Sequence, residues 1–311
     1  MKIAAIQMMA EFADVEANLK IAKRLATQAF TDGAEWVILP EFFTSAMGYQ
    51  KKMLDIAMPI DDKPMQLLND LAIKYNGVVG GSFIALRGNE SYNTFVLAFP
   101  DGNTYFHDKD QPTMWENCYY IGGKDDGVLE TTVGNIGVAL CWEFVRTRTV
   151  RRLLDRVNMV VGGSCWWTIP KEPLQGFTPD IHEWNVEIMS ETPARFARLL
   201  GVPVVHAAHA GDFECETPLV PDFSYKSYYL GETQIVDGSG KILARLRRED
   251  GEGIIMTELD LTKKWKPSEP IPDGFWIPEL PPVLNLTWQY LNKHGEKYYR
   301  TETKPYREKH Q

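Results

Sequence analysis

Residues 137–153 read GVALCWEFVRTRTVRRL, an apolar run that ends at Cys141 and is followed by Trp142, Glu143 and a burst of arginines. A short apolar run closed in this way predicts a buried strand, and residues 146–156 after it predict a basic helix. The same alternation recurs outward in both directions. KIAAIQM (2–8), EWVILPE (35–41), GVVGGSFIAL (77–86), VNMVVGGSCWW (157–167) and VPVVHAAHA (202–210) read as strands. Between them, 18–34, 64–75 and 183–200 carry apolar residues at helical spacing, the first stopping at Asp32-Gly33 and the last containing Pro193, which predicts a kink or a split. Residues 92–109, 129–143 and 231–246 read as strand pairs, two of them around Pro100-Asp101-Gly102 and Asp237-Gly238-Ser239-Gly240, and 253–261 is the last strand. Strand–helix units mixed with hairpins predict an α/β fold in which helices cover sheets.

The chain has 311 residues, 44% hydrophobic and 24% charged, and a net charge of −9. That acidity argues against an electrostatic grip on nucleic acid or on an anionic membrane and favours a small-molecule substrate. No apolar run approaches a membrane span, and the acidic start MKIAAIQMMAEFADVEANLK does not read as a secretory leader. Cys118, Cys141, Cys165 and Cys215 form no CxxC pair, which predicts free thiols and a cytoplasmic setting. Residues 1–262 form one domain. Residues 263–311, rich in Pro, Trp, Tyr and Lys and without sustained periodicity, predict an extended arm packed by its aromatics on a subunit interface.

Three apolar runs end in a reactive side chain: WVILPE in Glu41, TYFHDK in Lys109 and GVALC in Cys141. Strand ends are where layered αβ folds display functional groups. A cysteine nucleophile needs a base and an oxyanion donor. A carboxylate in an apolar pocket can be the first, and a protonated lysine the second. Taken one at a time, a cysteine is more often a packed core residue and a Glu or Lys a solvated one. Only the combination points to chemistry.

In their order, AAIQM, ILPE, YNTFVLAFPDG (92–102), HDK, GVALCWE, RFARLLGVPVVHAAHAG (195–211) and GETQIVDGSGKIL (231–243) resemble the nitrilase superfamily of carbon–nitrogen hydrolases, over residues 1 to about 262. The resemblance implies a four-layer αββα sandwich, a Glu–Lys–Cys triad, no metal or organic cofactor, and assembly into a homodimer or higher homo-oligomer. It makes Glu41 the general base, Cys141 the nucleophile, and Lys109 the oxyanion stabiliser together with the Trp142 N–H. The implied reaction hydrolyses a small nitrile or amide through a thioester, releasing a carboxylic acid and ammonia. The alternatives are a carbamoyl or other amidohydrolase or an acyltransferase of the same fold, and a non-catalytic assembly protein.

KDQPTMWENCYYIGG (109–123) places Glu116 where many members carry a second glutamate, and Cys-Trp-Glu resembles the nitrilase branch. Phe144, where that branch has His or Asn, and the aspartates flanking Lys109 depart from it, so nitrile against amide stays open. Asp108 and Asp110 would raise the pKa of Lys109 if they faced it. Trp142, Trp166, Trp115 and Phe144 are the candidate substrate contacts, and the loops 42–56, 110–128, 166–183 and 211–228 shape the acyl pocket. His206 and His209, three apart in a strand, face opposite ways and predict no shared metal. The arginine-rich helix 146–156 reads as solvated or subunit-facing.

Overall fold

The first strand, β1 (Lys2–Met8), shows how the layers arise. Ile3 and Ala5 join one apolar cluster, while Ala4, Ile6 and Met8 join another, because successive strand side chains face opposite ways. The structure is a computed structural model that describes residues 1–170, 179–220 and 222–310; part of the 166–183 loop therefore lies outside the described residues.

The chain continues through α1 (Val15–Thr31), β2 (Trp36–Ile38), β3 (Met58–Pro59), α2 (Lys63–Tyr75), β4 (Val78–Arg87), β5 (Glu90–Ala98) and β6 (Thr104–Asp108). Then come β7 (Val128–Thr131), β8 (Gly134–Leu140), α3 (Thr147–Leu153), β9 (Met159–Ser164), α4 (Pro179–Leu200) and β10 (Val204–Cys215). The remainder holds β11 (Tyr225–Leu230), β12 (Thr233–Val236), β13 (Ile242–Leu246), β14 (Gly253–Glu258), α5 (Pro282–Tyr298) and α6 (Lys304–His310). α1 starts where the Asp14 carboxylate accepts from the Ala17 N–H at 3.0 Å, a side-chain cap on an otherwise unpaired donor.

Among the described residues fourteen strands join one sheet whose main path is β6-β5-β4-β2-β1-β10-β9-β8-β7. Its end strands β6 and β7 lie against each other, so the sheet nearly closes on itself. Ile3, Ile38 and Phe95 from one half meet Val138, Leu140, Val161 and Val205 from the other in the central cluster. α1 and α2 cover the outer face of the first half, burying Leu25, Ala29, Leu68 and Leu71. α3 and α4 cover the second with Val150, Leu153, Phe196 and Leu199. The layers run helix, sheet, sheet, helix, the expected αββα arrangement.

Two expectations are corrected. α4 runs unbroken through Pro193, so of the kink or split expected there the split is excluded. The segment after β14 is irregular only to residue 281. It then forms α5, and this helix docks on the chain's own 114–118 turn, where the Met114 N–H donates to Asn292 Oδ1 at 2.8 Å. Gly295 makes that approach feasible, because a Cβ there would sit 2.6 Å from Asn117 Cβ.

Candidate active site

β8, β9, β10, β1, β2 and β4 are mutually parallel, and β6 is antiparallel to β5, which is antiparallel to β4. β2, β6 and β8 therefore end at the same edge of the sandwich. Glu41 lies in the turn three residues past β2, Lys109 directly follows β6, and Cys141 directly follows β8. The shared direction of the strands brings together residues up to a hundred positions apart.

Lys109 Nζ donates to Glu41 Oε1 at 2.8 Å and to Glu116 Oε2 at 2.7 Å. Cys141 Sγ and one oxygen from each of these glutamates lie within 4.8 Å of one another. The position a cation would take between the two carboxylates is held by the Lys109 ammonium. Glu41, Lys109 and Glu116 are wholly buried. Each carboxylate is further fixed. Asn93 Nδ2 and the Cys165 N–H donate to Glu41, both at 2.9 Å, and His209 Nε2 donates to the Glu41 carbonyl at 2.8 Å. The Thr113 N–H donates to Glu116 at 2.9 Å, and the Tyr120 hydroxyl does likewise. The sequence does not single out Asn93, Cys165 or His209 for this role, since each reaches the site from another element; Tyr120, four residues after Glu116, lies in a loop whose path is not legible either.

Cys141 sits at φ 50, a left-handed conformation that costs a non-glycine residue of order 1–3 kcal/mol and recurs at functional sites. Burial pushes its thiol well above the ordinary value; the Glu41 charge adds to this, and Lys109 and the Trp142 N–H oppose it. Burial likewise lifts the Glu41 carboxyl to about 7, with Lys109 pulling down and Glu116 pushing up. Lys109 is held well above its ordinary value, burial being outweighed by Glu116 and Glu41. At neutral pH this arrangement holds a neutral thiol, a carboxyl poised to gain or lose a proton, and a fixed ammonium.

The aspartates beside Lys109 do not face its amine. Asp108 pairs with Arg87 and accepts from Thr94, and Asp110 pairs with Arg146 at 2.6 Å and Arg152 at 2.8 Å. The arginine segment divides: Arg148, Arg151 and Arg156 are exposed, as the solvated reading has it, whereas Arg146 is 0% exposed and Arg152 is partly buried. The charge of these last two is taken up by Asp110 and Glu143. Glu143 accepts from Arg152 at 2.7 Å and from His107 Nε2 at 3.0 Å, and His107 also pairs with Asp125. Although burial opposes it, Glu143 and Asp125 hold His107 up to about 10, so three cations balance three acids.

Glu143 also accepts the Leu140 N–H at 2.9 Å and the Asp110 N–H at 3.0 Å. These amides flank Cys141 and Lys109, so one carboxylate ties the nucleophile's strand end to the lysine's. Glu143→Gln supplies a donor where a second acceptor is needed. It is expected to lower kcat/KM roughly 10- to 100-fold, the scale of a misplacement near 1 Å. Steady-state ammonia release checks this, and an unchanged kcat/KM would show that the tie positions nothing.

Trp142, Trp166 and Trp115 line the cleft onto which Cys141 opens. Phe144 does not. It packs on Phe196 and His206 at ring centroid distances of 5.0 and 5.3 Å. Residues 141–145 form one 3₁₀ turn, so residues three apart share a face. Trp142 and Val145 pack on the cleft side and Phe144 on the α4 side. His206 bonds Ser164 and the Glu232 carbonyl while His209 bonds Glu41. The two rings therefore bond to different groups on different sides of β10.

The carbon–nitrogen hydrolase family model matches residues 2–266. The chain belongs to that family. A citrullinase of Francisella tularensis is 31% identical over 153 residues, 46% of this chain and 53% of that protein. An aliphatic nitrilase of Rhodococcus rhodochrous is 23% identical, over 84% of this chain and 72% of its own length. The carbon–nitrogen hydrolase structure from Helicobacter pylori G27 superposes with TM-score 0.70 at 18% identity, covering 84% and 90% of the two chains, and shows the shared fold. As a carbon–nitrogen hydrolase this protein is an enzyme, and its Glu–Lys–Cys arrangement stands at the strand ends. All four cysteines are free, and no helix among the described residues is long and apolar enough to cross a membrane.

Proposed function

We propose that this hydrolase cleaves the carbon–nitrogen bond of a small nitrile or amide through a thioester on Cys141. The observation that carries this is Lys109 bridging the Glu41 and Glu116 carboxylates at 2.8 and 2.7 Å beside the Cys141 thiol. Glu41 accepts the thiol proton as Sγ attacks the electrophilic carbon. For an amide, the oxyanion that forms is stabilised by the Lys109 ammonium and the Trp142 N–H. Such preorganised charge is worth about 10²–10³ in rate per donor. Glu41 returns its proton to the departing nitrogen, ammonia leaves, and a thioester remains. A water that gives its proton to Glu41 then attacks the thioester, and the carboxylic acid departs as the thiol is regenerated. A nitrile enters the same route after its thioimidate has added one water. Glu116 holds Lys109 in place throughout.

Because Glu41 acts first as a base, it must start ionised. A carboxyl near 7 is about one-tenth ionised at pH 6, so kcat/KM is expected to fall about tenfold per pH unit below 7. A profile flat down to pH 5 would remove Glu41 from the role. Quenching with acid during turnover of an amide substrate and measuring intact mass tests the reaction itself. The expected result is an acyl adduct located on Cys141; turnover with no such adduct overturns the thioester route.

The same reading carries a cytoplasmic enzyme assembled as a homodimer or higher homo-oligomer. Support for assembly comes from α5 in the arm, where Leu286 and Tyr290, four apart and so on one face of the helix, are both exposed.

A further inference from the structure

The cleft beyond Cys141 is walled by Trp115, Trp142, Trp166, Trp167 and Tyr225. Trp115 and Trp167 are stacked, their ring centroids 4.7 Å apart and their planes 13° from parallel. Tyr225 stands edge-on to Trp115 at 5.2 Å. Another wall comes from α5, through Leu284, Thr287 and Leu291, and the Asn292 contact to the 114–118 turn holds that helix in place.

Among the described residues, none that lines this cleft carries a charge. Several of its polar groups are already committed. Asn185 accepts from Trp166 Nε1 at 2.9 Å and donates to the Trp167 carbonyl at 3.2 Å. The Tyr225 hydroxyl donates to the Thr168 carbonyl at 2.6 Å. Trp115 Nε1 and Thr113 Oγ1 are buried without a partner; each can give one hydrogen bond to a neutral polar group of a ligand, and neither brings a counter-charge. A charged acyl chain entering this wall would lose its hydration and meet no counter-ion among the described lining residues, a loss that apolar surroundings do not repay. A flat apolar body gains instead, from removal of apolar surface from water and from stacking on aromatic faces.

We propose that the cleft takes a neutral acyl group built on an aromatic ring or a comparable apolar body, and that α5 sets this preference by supplying one wall. This rests on the reaction proposed above and names the class of substrate for it. The free acid produced would be an aryl or arylalkyl carboxylate. It would be charged, and so held less well than the neutral substrate.

The test has two arms. In the first, ammonia release by the full-length enzyme is measured on benzamide, phenylacetamide and 3-phenylpropionitrile, and on acetamide, L-glutamine and L-citrulline. kcat/KM is expected to be at least about tenfold higher for the best aryl compound than for acetamide, the scale on which a buried ring contributes. The two zwitterions should be slower still. In the second arm, phenylacetamide and L-glutamine are titrated into Cys141→Ala while tryptophan emission is followed; only phenylacetamide should quench it saturably. Turnover favouring the zwitterions, or no binding of phenylacetamide, overturns the acyl class. Saturable binding of the aryl amide with no ammonia from any compound supports the pocket and overturns the reaction. Thr287→Lys, which adds a cation to the α5 wall, should lower kcat/KM for phenylacetamide and raise it for glutaramate, which bears a carboxylate. If that variant does not fold, Trp167→Ala serves, with KM for phenylacetamide rising about tenfold. An unchanged KM removes the stacked wall from recognition.

Discussion

Cys141→Ala is expected to abolish ammonia release, by about 10⁴-fold or more, while leaving the fold intact, because removing the nucleophile leaves only binding and oxyanion stabilisation. The structural cost is small. The change deletes one sulfur atom beside a cleft, and alanine at φ 50 is as strained as cysteine. Stability should therefore stay within about 1–2 kcal/mol of the parent. Cys165 is the informative comparison. It is equally buried, its N–H donates to Glu41 at 2.9 Å, and its thiol too is pushed up by burial and by Glu41. Yet only Cys141 lines the cleft, so Cys165→Ala should retain activity within about tenfold, since the backbone N–H it contributes remains. Parallel assays of the two variants, with thermal melts, decide the matter. Residual activity in Cys141→Ala comparable to the parent, or equal losses in both, would remove Cys141 as the nucleophile.

How far these assignments were visible in the sequence depends on the range of the interactions involved. Glu41, Lys109 and Cys141 could be read because each terminates an apolar run, and parallel strands bring such ends to one edge. Phe144 is not legible as a residue outside the cleft because closeness to Cys141 in sequence suggests closeness to substrate. In a helical turn, residues two apart point well away from each other, so Trp142 on the cleft side leaves Phe144 against α4. Arg146 and Arg152 read as solvated because Asp110, which pairs with both, is held by the loop after β6, and because Glu143 meets Arg152 only through the 3₁₀ turn between them. His107 is invisible for the same reason: a histidine between two carboxylates becomes a fixed cation only once β6 lies beside the 3₁₀ turn and the loop carrying Asp125. α5 escaped because its buried stripe is narrow. Leu284, Leu291 and Gly295 lie seven and four apart, and a glycine counts against a helix unless the surface it approaches is known.

Lys109→Met should destabilise the fold far more than Cys141→Ala does, and its cost should depend on pH in a way that separates charge from packing. In the parent the ammonium lies between two fully buried carboxylates. Removing one partner of a buried ion pair typically costs about 3–5 kcal/mol, and here it leaves two like charges facing each other. The sign follows from linkage. Lys109 is raised in the folded state, so the stability it contributes is fully present below the unfolded lysine value, across the physiological range. In Lys109→Met the shift that remains is that of Glu41, already raised by burial and now without the lowering effect of the lysine. A carboxyl raised in the folded state leaves stability untouched below its unfolded value and costs progressively more as pH climbs toward the folded one. The variant should therefore melt well below the parent at pH 8 and much nearer to it at pH 5. Activity should be lost at both, by about 10²–10³ or more, because the oxyanion has lost its charged donor. Thermal melts of parent and variant at the two pH values decide it. A deficit that does not change with pH would mean that Lys109 acts by filling space, and that the two glutamates do not need its charge.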